Sequence, residues 1–298
     1  MIHKTVLLQE SIDGLSIKAG DIFVDGTLGG GGHSEEVIRR FGDSVVMIGI
    51  DLDPDAISRT KERLSPLKAN IRYAEGSFRN IDAILDSLGV AQVDKVLLDI
   101  GLSSNQFEDS GRGFSFQKDE PLVMSFKKEL GPEDLTAREI VNTWDLENIQ
   151  AILEGYGEEQ FAWKIAKAIV ARRELQPIET TFQLVEIIKI ATPKFYHHRR
   201  IHPATKTFQA LRITVNDEIN SLKEGMVKSF GRLNPGGRLA VISFHSLEDR
   251  AVKQYFKNLD SRDEATIVTK KPIVPSLEEI AENPRSRSAK LRILEKNK

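Results

Sequence analysis

The chain has 298 residues, 40% of them hydrophobic and 29% charged, which is typical of a globular protein with one large or two ordinary domains. It contains no cysteine, which excludes disulfides, thiolate zinc sites and cysteine nucleophiles and favours a reducing cytoplasm, and no apolar run reaches the ~20 residues of a membrane span. With a net charge of −2, nucleic-acid binding would need a local basic surface.

The first hundred residues alternate between apolar runs with strand character and segments with helical spacing. Ser34 and Asp53 are the predicted N-caps of two of these helices, and Pro54 suits the first turn of the second. Buried strands that alternate with amphipathic helices predict a parallel sheet covered on both faces. Strands are predicted at residues 22–26, 45–53, 71–78 and 93–101, and helices at 34–41, 53–64 and 81–89.

The pattern changes after about residue 105, where strand signals give way to helical ones, and returns to α/β after Arg212. We therefore predict one α/β domain, formed by residues 1–105 and 213–298, interrupted by a helical insertion at 106–212. The returning part comprises a long helix over 214–233, a strand over 238–246, a helix over 247–259 and a final strand over 288–296, with an irregular stretch at 261–287.

The segment "DGTLGGGGHS", residues 25–34, places four consecutive glycines between a predicted strand and a predicted helix. Glycine loses more backbone freedom on folding than any other residue, so the run implies that something approaches the backbone closely. Ser34 stands where the dinucleotide fingerprint needs its third glycine, and no phosphate-loop lysine follows. The loop therefore predicts a nucleotide-like ligand without requiring a pyrophosphate, the alternative being a flexible turn.

Acidic residues end two of the predicted strands. Asp51 closes "VVMIGID", where doubly wound folds bind the ribose hydroxyls of an adenosine, and a carboxylate can accept both. Its alternative role is to cap the next helix, which we assign to Asp53 instead. Asp99 ends "VLLD" and is followed by Ser103 and Ser104, all three at the predicted ligand crevice, although Asp99 alone could equally be a turn acid.

Residues 189–212 form a basic segment, with six Lys or Arg, three His and three aromatic residues, and no acid occurs between Glu186 and Asp217. Cations for phosphates and rings for unstacked bases suit RNA, and residues 283–292 form a second basic tract. The alternative is a solvated positive face. The histidines of the segment lack nearby acids or cysteines, so no metal site is predicted.

Ser243, His245 and Ser246 lie at the end of another predicted strand, in "RLAVISFHSLEDR". A Ser-His pair could indicate a hydrolase, but the nucleophile-elbow motif G-x-S-x-G is missing. These residues are interpreted as lining the crevice.

Several blocks, "HKTVLLQE", "VDGTLGGGGHS", "LLDIGLSSNQF", "RGFSF", "YGEEQFAWKIAKAIV", "HPATKTFQALRI", "GGRLAVISFHSLEDR" and "NPRSRSAKLR", occur in the order found in one family. From His3 to Arg292 the chain resembles the bacterial 16S ribosomal RNA cytosine-N4 methyltransferases, which are S-adenosyl-L-methionine (AdoMet)-dependent enzymes. The resemblance implies a Rossmann-like class I methyltransferase sheet with an inserted all-helical domain. It also implies small-subunit ribosomal RNA, or the particle that contains it, as partner, and leaves the oligomeric state open.

The resemblance also implies site residues. For catalysis, Asp99 is the candidate acceptor of a proton or hydrogen bond from the target amine, with Ser103 or Ser104 orienting it. Contacts to AdoMet are implied at Gly31, Gly32, His33, Asp51, Phe78, Asp99 and Gln106. Contacts to RNA are expected at His197, Arg199, Arg200, His202, Lys206, Arg212 and His245.

One block departs from the family pattern. In "PLVMSFK", Val123, Ser125 and Lys127 stand where Asp, Arg and Asp are expected, and Lys206 stands where Arg is more frequent. This departure favours the main alternative, a non-catalytic RNA-binding assembly factor that keeps the fold. A nicotinamide-dependent oxidoreductase is the other alternative, and the missing dinucleotide fingerprint speaks against it.

Overall fold

A computed structural model describes residues 4–67, 69–101 and 111–298. The chain divides into two compact units, one formed by Met1–Gly101 with Ile219–Lys298 and the other by Leu102–Glu218. Ser103, Ser104 and Gln106 lie outside the described residues. None of the helices in the described ranges combines the length and the hydrophobicity needed to span a bilayer.

The first unit contains a seven-stranded sheet in the order β3-β2-β1-β4-β5-β7-β6. The first five strands in this order are parallel, and β7 and β6 are antiparallel additions at one edge. The predicted Rossmann-like α/β class is thus confirmed. The strands are β1 Ile22–Asp25, β2 Val46–Asp51, β3 Ile71–Glu75, β4 Val93–Asp99, β5 Leu233–Ser243, β6 Ala265–Ile267 and β7 Lys290–Lys296.

The helices of the described chain follow the alternation expected from the sequence. In the first unit they flank the sheet before and after the helical segment. In chain order they are α1 Leu8–Leu15, α2 Gly32–Phe41, α3 Pro54–Leu64, α4 Ile81–Ser87, α5 Ala137–Thr143, α6 Leu146–Gly155, α7 Ala162–Arg173, α8 Thr181–Ala191, α9 Lys194–His197, α10 Thr205–Val215, α11 Glu218–Arg232, α12 Ser246–Ser261 and α13 Leu277–Glu282.

The sheet is buried on both faces. Successive residues of a strand point to opposite sides, so neighbouring side chains of one strand belong to different hydrophobic clusters. Phe23 and Leu97 pack in the cluster on one face, whereas Val24 and Val96 pack in the cluster on the other. All four side chains are fully buried, and each such burial stabilises the fold by roughly 1.5–3 kcal/mol. This arrangement explains why the central strands are nearly continuous apolar runs.

Helices α5–α10 build a separate core in the second unit. Ile140, Leu153, Ile165, Leu184 and Leu211 come from five of these helices and are completely buried there. Helix α8 begins with a capping box in which Thr180 and Gln183 satisfy each other's backbone N–H groups. The predicted helical character of this segment is therefore observed in its described part.

The two predicted N-caps have different outcomes. Asp53 accepts a hydrogen bond from the Asp55 N–H at 3.0 Å and caps α3, with Pro54 as its first residue, as predicted. The prediction for Ser34 was wrong, because α2 begins at Gly32 after Gly31. The Ser34 hydroxyl instead donates to the buried carboxylate of Asp25 at 2.6 Å.

Two further predictions need correction. The single helix predicted over 214–233 is broken, because α10 ends at Val215, Asp217 takes a left-handed conformation with φ 47°, and α11 begins at Glu218. The stretch 261–287, predicted as irregular, contains the edge strand β6 and helix α13. Strand β6 forms by pairing with β7, a contact that its own three residues do not indicate.

Candidate active site at the carboxyl edge of the sheet

Three acids end neighbouring parallel strands at the same edge of the sheet. Asp25 ends β1, Asp51 ends β2 and Asp99 ends β4. Strand β1 lies between β2 and β4, so the strand order reverses at this point. In open α/β sheets such a switch point opens the crevice that binds ligands.

The glycine loop is held against this edge by backbone hydrogen bonds. Gly26 donates its N–H to Leu97 O and Leu28 donates to Ile50 O, each at 2.9 Å, so both neighbouring strands fix the loop. Gly29 donates its N–H to Asp51 Oδ2 at 2.7 Å. The loop is therefore well positioned rather than a flexible turn.

Two of the glycines are required because neighbouring side chains of the protein leave no room for a Cβ. At Gly31, where φ is +73°, a Cβ would collide with the methyl group of Thr60. At Gly32 a Cβ would collide with the hydroxyl of Thr5. At Gly29, with φ +49°, a Cβ would meet nothing closer than Thr27 O at 3.7 Å, so only the backbone conformation favours glycine. The close approach inferred from the sequence is, at positions 31 and 32, an approach by threonine side chains.

The carboxylate of Asp51 is half-buried and oriented by the backbone. Its Oδ2 accepts from Gly29 and its Oδ1 from the Asp53 N–H at 2.9 Å. Burial raises its pKa, against the opposing effect of these hydrogen bonds. Each carboxylate oxygen has two lone pairs, so both can accept one more donor, such as a ribose hydroxyl.

A hydrogen-bonded chain connects α2 to the end of β4. The Ser34 hydroxyl donates to Asp25 Oδ2 at 2.6 Å, and the Thr27 N–H donates to Asp25 Oδ1 at 3.3 Å. The Thr27 hydroxyl in turn accepts the Asp99 N–H at 2.7 Å. Asp25 is buried, and this burial raises its pKa to about 6.

The carboxyl group of Asp99 is the most perturbed acid of this edge. Its Oδ1 accepts the Gly101 N–H at 3.2 Å, and within the described ranges no group donates to Oδ2. Burial, with smaller contributions from the negative charges of Asp25 and Glu248, raises its pKa to about 7. A carboxyl group with such a pKa and a free oxygen can exchange or accept a proton near neutral pH.

The other predicted cofactor contacts border this edge. Phe78 begins a short 3-10 turn after β3, and its ring lies so close to Gly225 of α11 that a Cβ there would be 2.5 Å from it. His33 is buried on α2, and its Nε2 lies 3.2 Å from the carbonyl oxygen of Val6. The structure thus brings the glycine loop, Asp51, Phe78 and Asp99 to one edge.

Six of the residues predicted to contact RNA lie in the helical unit, on α9, α10 and the connection between them, and most have intramolecular contacts. The His202 ring stacks on Phe116 with centroids 4.5 Å apart, and the Lys206 ammonium donates to Glu158 O. Arg212 forms a two-pronged ion pair with Glu218, at 2.8 and 2.9 Å. The remaining three follow one another on or just after α9: His197, Arg199 and Arg200.

His245 lies in the other unit and caps α12. Its Nδ1 accepts the Glu248 N–H at 3.4 Å, and the Glu248 carboxylate accepts the His245 N–H at 3.2 Å, which together form a capping box. The side chain therefore has a defined structural role at the end of β5. Contact with RNA at this residue stays a prediction.

The profile of the MraW methylase family matches residues 1–297. The chain belongs to the MraW methylase family. Ribosomal RNA small subunit methyltransferase H of Clostridium botulinum is 46% identical over 309 residues, covering 99% of this chain and 98% of the relative. The enzyme of the same name from Clostridioides difficile is 43% identical over 309 residues, covering 99% of this chain and 98% of the relative.

The sequence interpretation overlooked three residues that this methylase places at the edge. Asp25 ends a strand as Asp51 and Asp99 do, which was the available signal. Thr27 supports the backbone of Asp99, and no local pattern shows this because β4 lies far along the chain. Glu248 is buried and accepts the Phe244 N–H at 2.7 Å, and its signal was the capping-box spacing after "SFH".

Proposed function

We propose that this methylase transfers the methyl group of AdoMet to the exocyclic N4 amine of a cytidine in small-subunit (16S) ribosomal RNA. Support comes from the family match along the whole chain and from relatives named as ribosomal RNA small subunit methyltransferases. Because the proposed substrate is ribosomal RNA, we place the reaction in the cytoplasm. The same evidence favours an enzyme over a non-catalytic assembly factor.

The residues at the sheet edge fit AdoMet. Asp51 keeps acceptor capacity for ribose hydroxyls, and the exposed side chain of Leu52 next to it offers apolar surface for an adenine. The Cβ position of Gly29 has no side chain within 4 Å, which leaves this side of the loop open, and Phe78 borders the same edge. We propose that Gly31, Gly32 and His33 of the loop contact the cofactor together with Asp51, Phe78 and Asp99. AdoMet would supply a methyl group bound to a sulfonium sulfur. This sulfur is an activated leaving group, because it departs as a neutral thioether.

The observation that carries the proposal is the carboxyl group of Asp99, whose Oδ2 accepts no hydrogen bond from the described residues and whose pKa is raised to about 7. The lone pair of a cytosine amine is delocalised into the ring, so the amine is a poor nucleophile. An acceptor that draws on one of its N–H bonds raises the electron density at nitrogen as the nitrogen becomes pyramidal. Asp99 can accept that hydrogen bond and then the proton, and a pKa near the working pH suits this role.

The backbone contacts of Asp99 serve positioning. The Thr27 hydroxyl accepts the Asp99 N–H and Gly101 donates to Oδ1, so we assign Oδ2, which has no donor among the described residues, to the substrate. Much of the rate acceleration would come from holding donor and acceptor in a reactive geometry. The target base must leave its stack to reach such a site. We propose that Arg199, Arg200, Lys206 and their neighbours on α9 and α10 bind the surrounding RNA.

The test is methyl transfer from labelled AdoMet to unmodified small-subunit particles and to naked 16S RNA, with the modified nucleoside identified by mass spectrometry. We expect N4-methylcytidine in at least one of the two substrates. Transfer to a different atom or base would refute the assignment of the amine. AdoMet binding without transfer to either RNA would favour the assembly-factor alternative.

A further inference from the structure

Helix α7 of the helical unit carries an exposed aromatic side chain that the proposed function has not used. Trp163 is 50% exposed, although tryptophan is among the side chains with most to gain from burial. Lys167, one turn further along, places its Nζ 5.0 Å from the centroid of the indole ring. A cation over an exposed indole is a cation–π pair presented to solvent.

A second exposed ring with its own cation contacts Phe161, the residue before α7 and two positions before Trp163. Phe195 on α9 is 61% exposed, and the Arg199 guanidinium lies 5.8 Å from its ring centroid. Its ring meets that of Phe161 edge-on at 6.3 Å, and the Lys164 ammonium lies 5.7 Å above Phe161. We call this set the aromatic–cation surface: Phe161, Trp163, Lys164, Lys167, Phe195 and Arg199.

The cations of this surface retain their charge for a ligand. In the described part of the helical unit, Lys164, Lys167 and Arg199 contact rings rather than carboxylates and take part in no ion pair. Exposed rings with unneutralised cations beside them combine a stacking face with a phosphate contact. This combination is what single-stranded nucleic acid needs, because unstacked bases stack on aromatic side chains while cations neutralise the backbone.

We propose that the aromatic–cation surface binds unpaired nucleotides of the RNA substrate by stacking bases on Trp163 and Phe195. The proposal rests on the proposed function for the identity of the RNA and extends it from the basic segment to α7. A duplex would hide its base faces, so the surface fits a single-stranded or looped stretch next to the target. An apolar protein partner fits less well, because it would have to cover three charges that lack partner carboxylates.

Fluorescence tests the stacking directly. The chain has two tryptophans, and Trp144 packs against the helical core, so the comparison of wild type with Trp163→Phe isolates the signal of Trp163. A short single-stranded oligoribonucleotide should quench the Trp163 signal saturably, because a base stacks on the indole. The same sequence in a duplex should quench it much less. Equal fluorescence with and without single-stranded RNA would overturn the proposal.

Affinity measurements supply the second test. Trp163→Ala and Phe195→Ala should each weaken binding of the single-stranded oligoribonucleotide by about tenfold, within the roughly 5- to 150-fold that loss of one stacking ring costs. Phe182→Ala is the matched control, because Phe182 is a 47% exposed phenylalanine on α8 outside the surface. AdoMet affinity should be the same in all three variants.

The outcomes separate this inference from the proposed function. If wild type methylates RNA but Trp163→Ala and Phe195→Ala bind and methylate it equally well, only the inference fails. The inference also fails if these variants lose a protein partner and keep RNA affinity. If wild type binds RNA through this surface and transfers no methyl group, the inference holds and the proposed function fails.

Discussion

Asp51 owes its orientation to two backbone N–H groups, and its spare lone pairs are what an adenosine ribose would use. We expect Asp51→Ala to weaken AdoMet binding roughly 5- to 150-fold, since a hydrogen bond to a charged group contributes about 1–3 kcal/mol. Isothermal titration calorimetry measures this. Asp53→Ala is the control, because it removes the cap of α3 and should lower stability by about 1 kcal/mol with AdoMet affinity retained. An unchanged dissociation constant for Asp51→Ala would remove Asp51 from the cofactor site.

The raised pKa of Asp99 makes AdoMet binding depend on pH. A sulfonium favours the ionised carboxylate, so affinity should rise as pH increases through about 7 and the proton leaves Asp99. Below that pKa the dissociation constant should increase by up to about tenfold per pH unit. Asp99→Asn should flatten this dependence and leave the smaller contribution of Asp25, whose pKa is about 6. A slope that persists unchanged in Asp99→Asn would mean that another group titrates.

The raised pKa of Asp99 also makes the free energy of unfolding depend on pH, but in the opposite direction to AdoMet affinity. Because the folded state raises the pKa of Asp99 from 3.8 to about 7, it holds the proton over a pH range in which the unfolded chain has lost it. The stability contributed by this group therefore falls as pH rises from about 4 to about 7. AdoMet should offset this loss, so its stabilising effect on thermal unfolding should be greater above pH 7 than below it.

At the scale of elements, the start of α2 depends on side chains from elsewhere in the fold. Gly31→Ala should destabilise the protein by about 3 kcal/mol, of which about 1–2 kcal/mol is the left-handed backbone and the rest is the collision with the Thr60 methyl group. Thr60→Ser removes that methyl group and keeps the hydroxyl that donates to Gly29 O.

A double-mutant cycle isolates the collision. Gly31→Ala should cost about 1 kcal/mol less in the Thr60→Ser background than in wild type, as measured by urea unfolding. Gly29→Ala should show only the backbone cost, because no side chain lies near its Cβ position. Additive effects of the changes at residues 31 and 60 would mean that Gly31 is not required by packing.

The break between α10 and α11 is held by the ion pair of Arg212 and Glu218, whose side chains are 19% and 7% exposed. Removing the arginine leaves a buried carboxylate unpaired, so Arg212→Met should destabilise the protein by about 3 kcal/mol. Adding Glu218→Leu should restore most of this stability. Thermal unfolding measures both effects.

The exposed residue Arg200 is the control for Arg212, because no loss of stability is expected when it is replaced. Arg200→Ala should leave the unfolding temperature unchanged, weaken RNA binding and reduce its salt slope by about 1. If Arg212→Met instead lowers RNA affinity with full stability, then Arg212 is primarily an RNA contact. The two variants together separate structural from RNA-binding arginines on this part of the chain.

At the scale of the molecule, the central strands and most helices could be predicted because burial imposes its period on the local sequence. Strands β2 and β4 are continuous apolar runs since both of their faces are covered, and Asp51 and Asp99 were found because each ends such a run. Asp53 was found as a cap because its partner is two residues away.

The features that the sequence did not reveal depend on distant contacts. Ser34 has the chemistry of an N-cap, but its hydroxyl bonds to Asp25, nine residues earlier on β1. Strand β6 exists through its pairing with β7, and the glycines at 31 and 32 are fixed by Thr60 and Thr5. Thr27 supports Asp99 across 72 positions of sequence. In each case the partner is specified by the fold and not by the neighbouring residues.

The most direct test of the account compares wild type with Asp99→Asn, measuring methyl transfer to cytidine N4 of 16S RNA and AdoMet affinity separately at a pH above 7. Asparagine fills the same space but cannot accept the amine proton, so transfer should fall by about 10²- to 10⁴-fold, the usual contribution of a general base. AdoMet affinity should fall by about tenfold at most, which is the loss expected from neutralising this carboxylate near the sulfonium. Full transfer by Asp99→Asn would contradict the central role of this carboxylate, and a loss confined to AdoMet binding would reassign Asp99 to the cofactor alone.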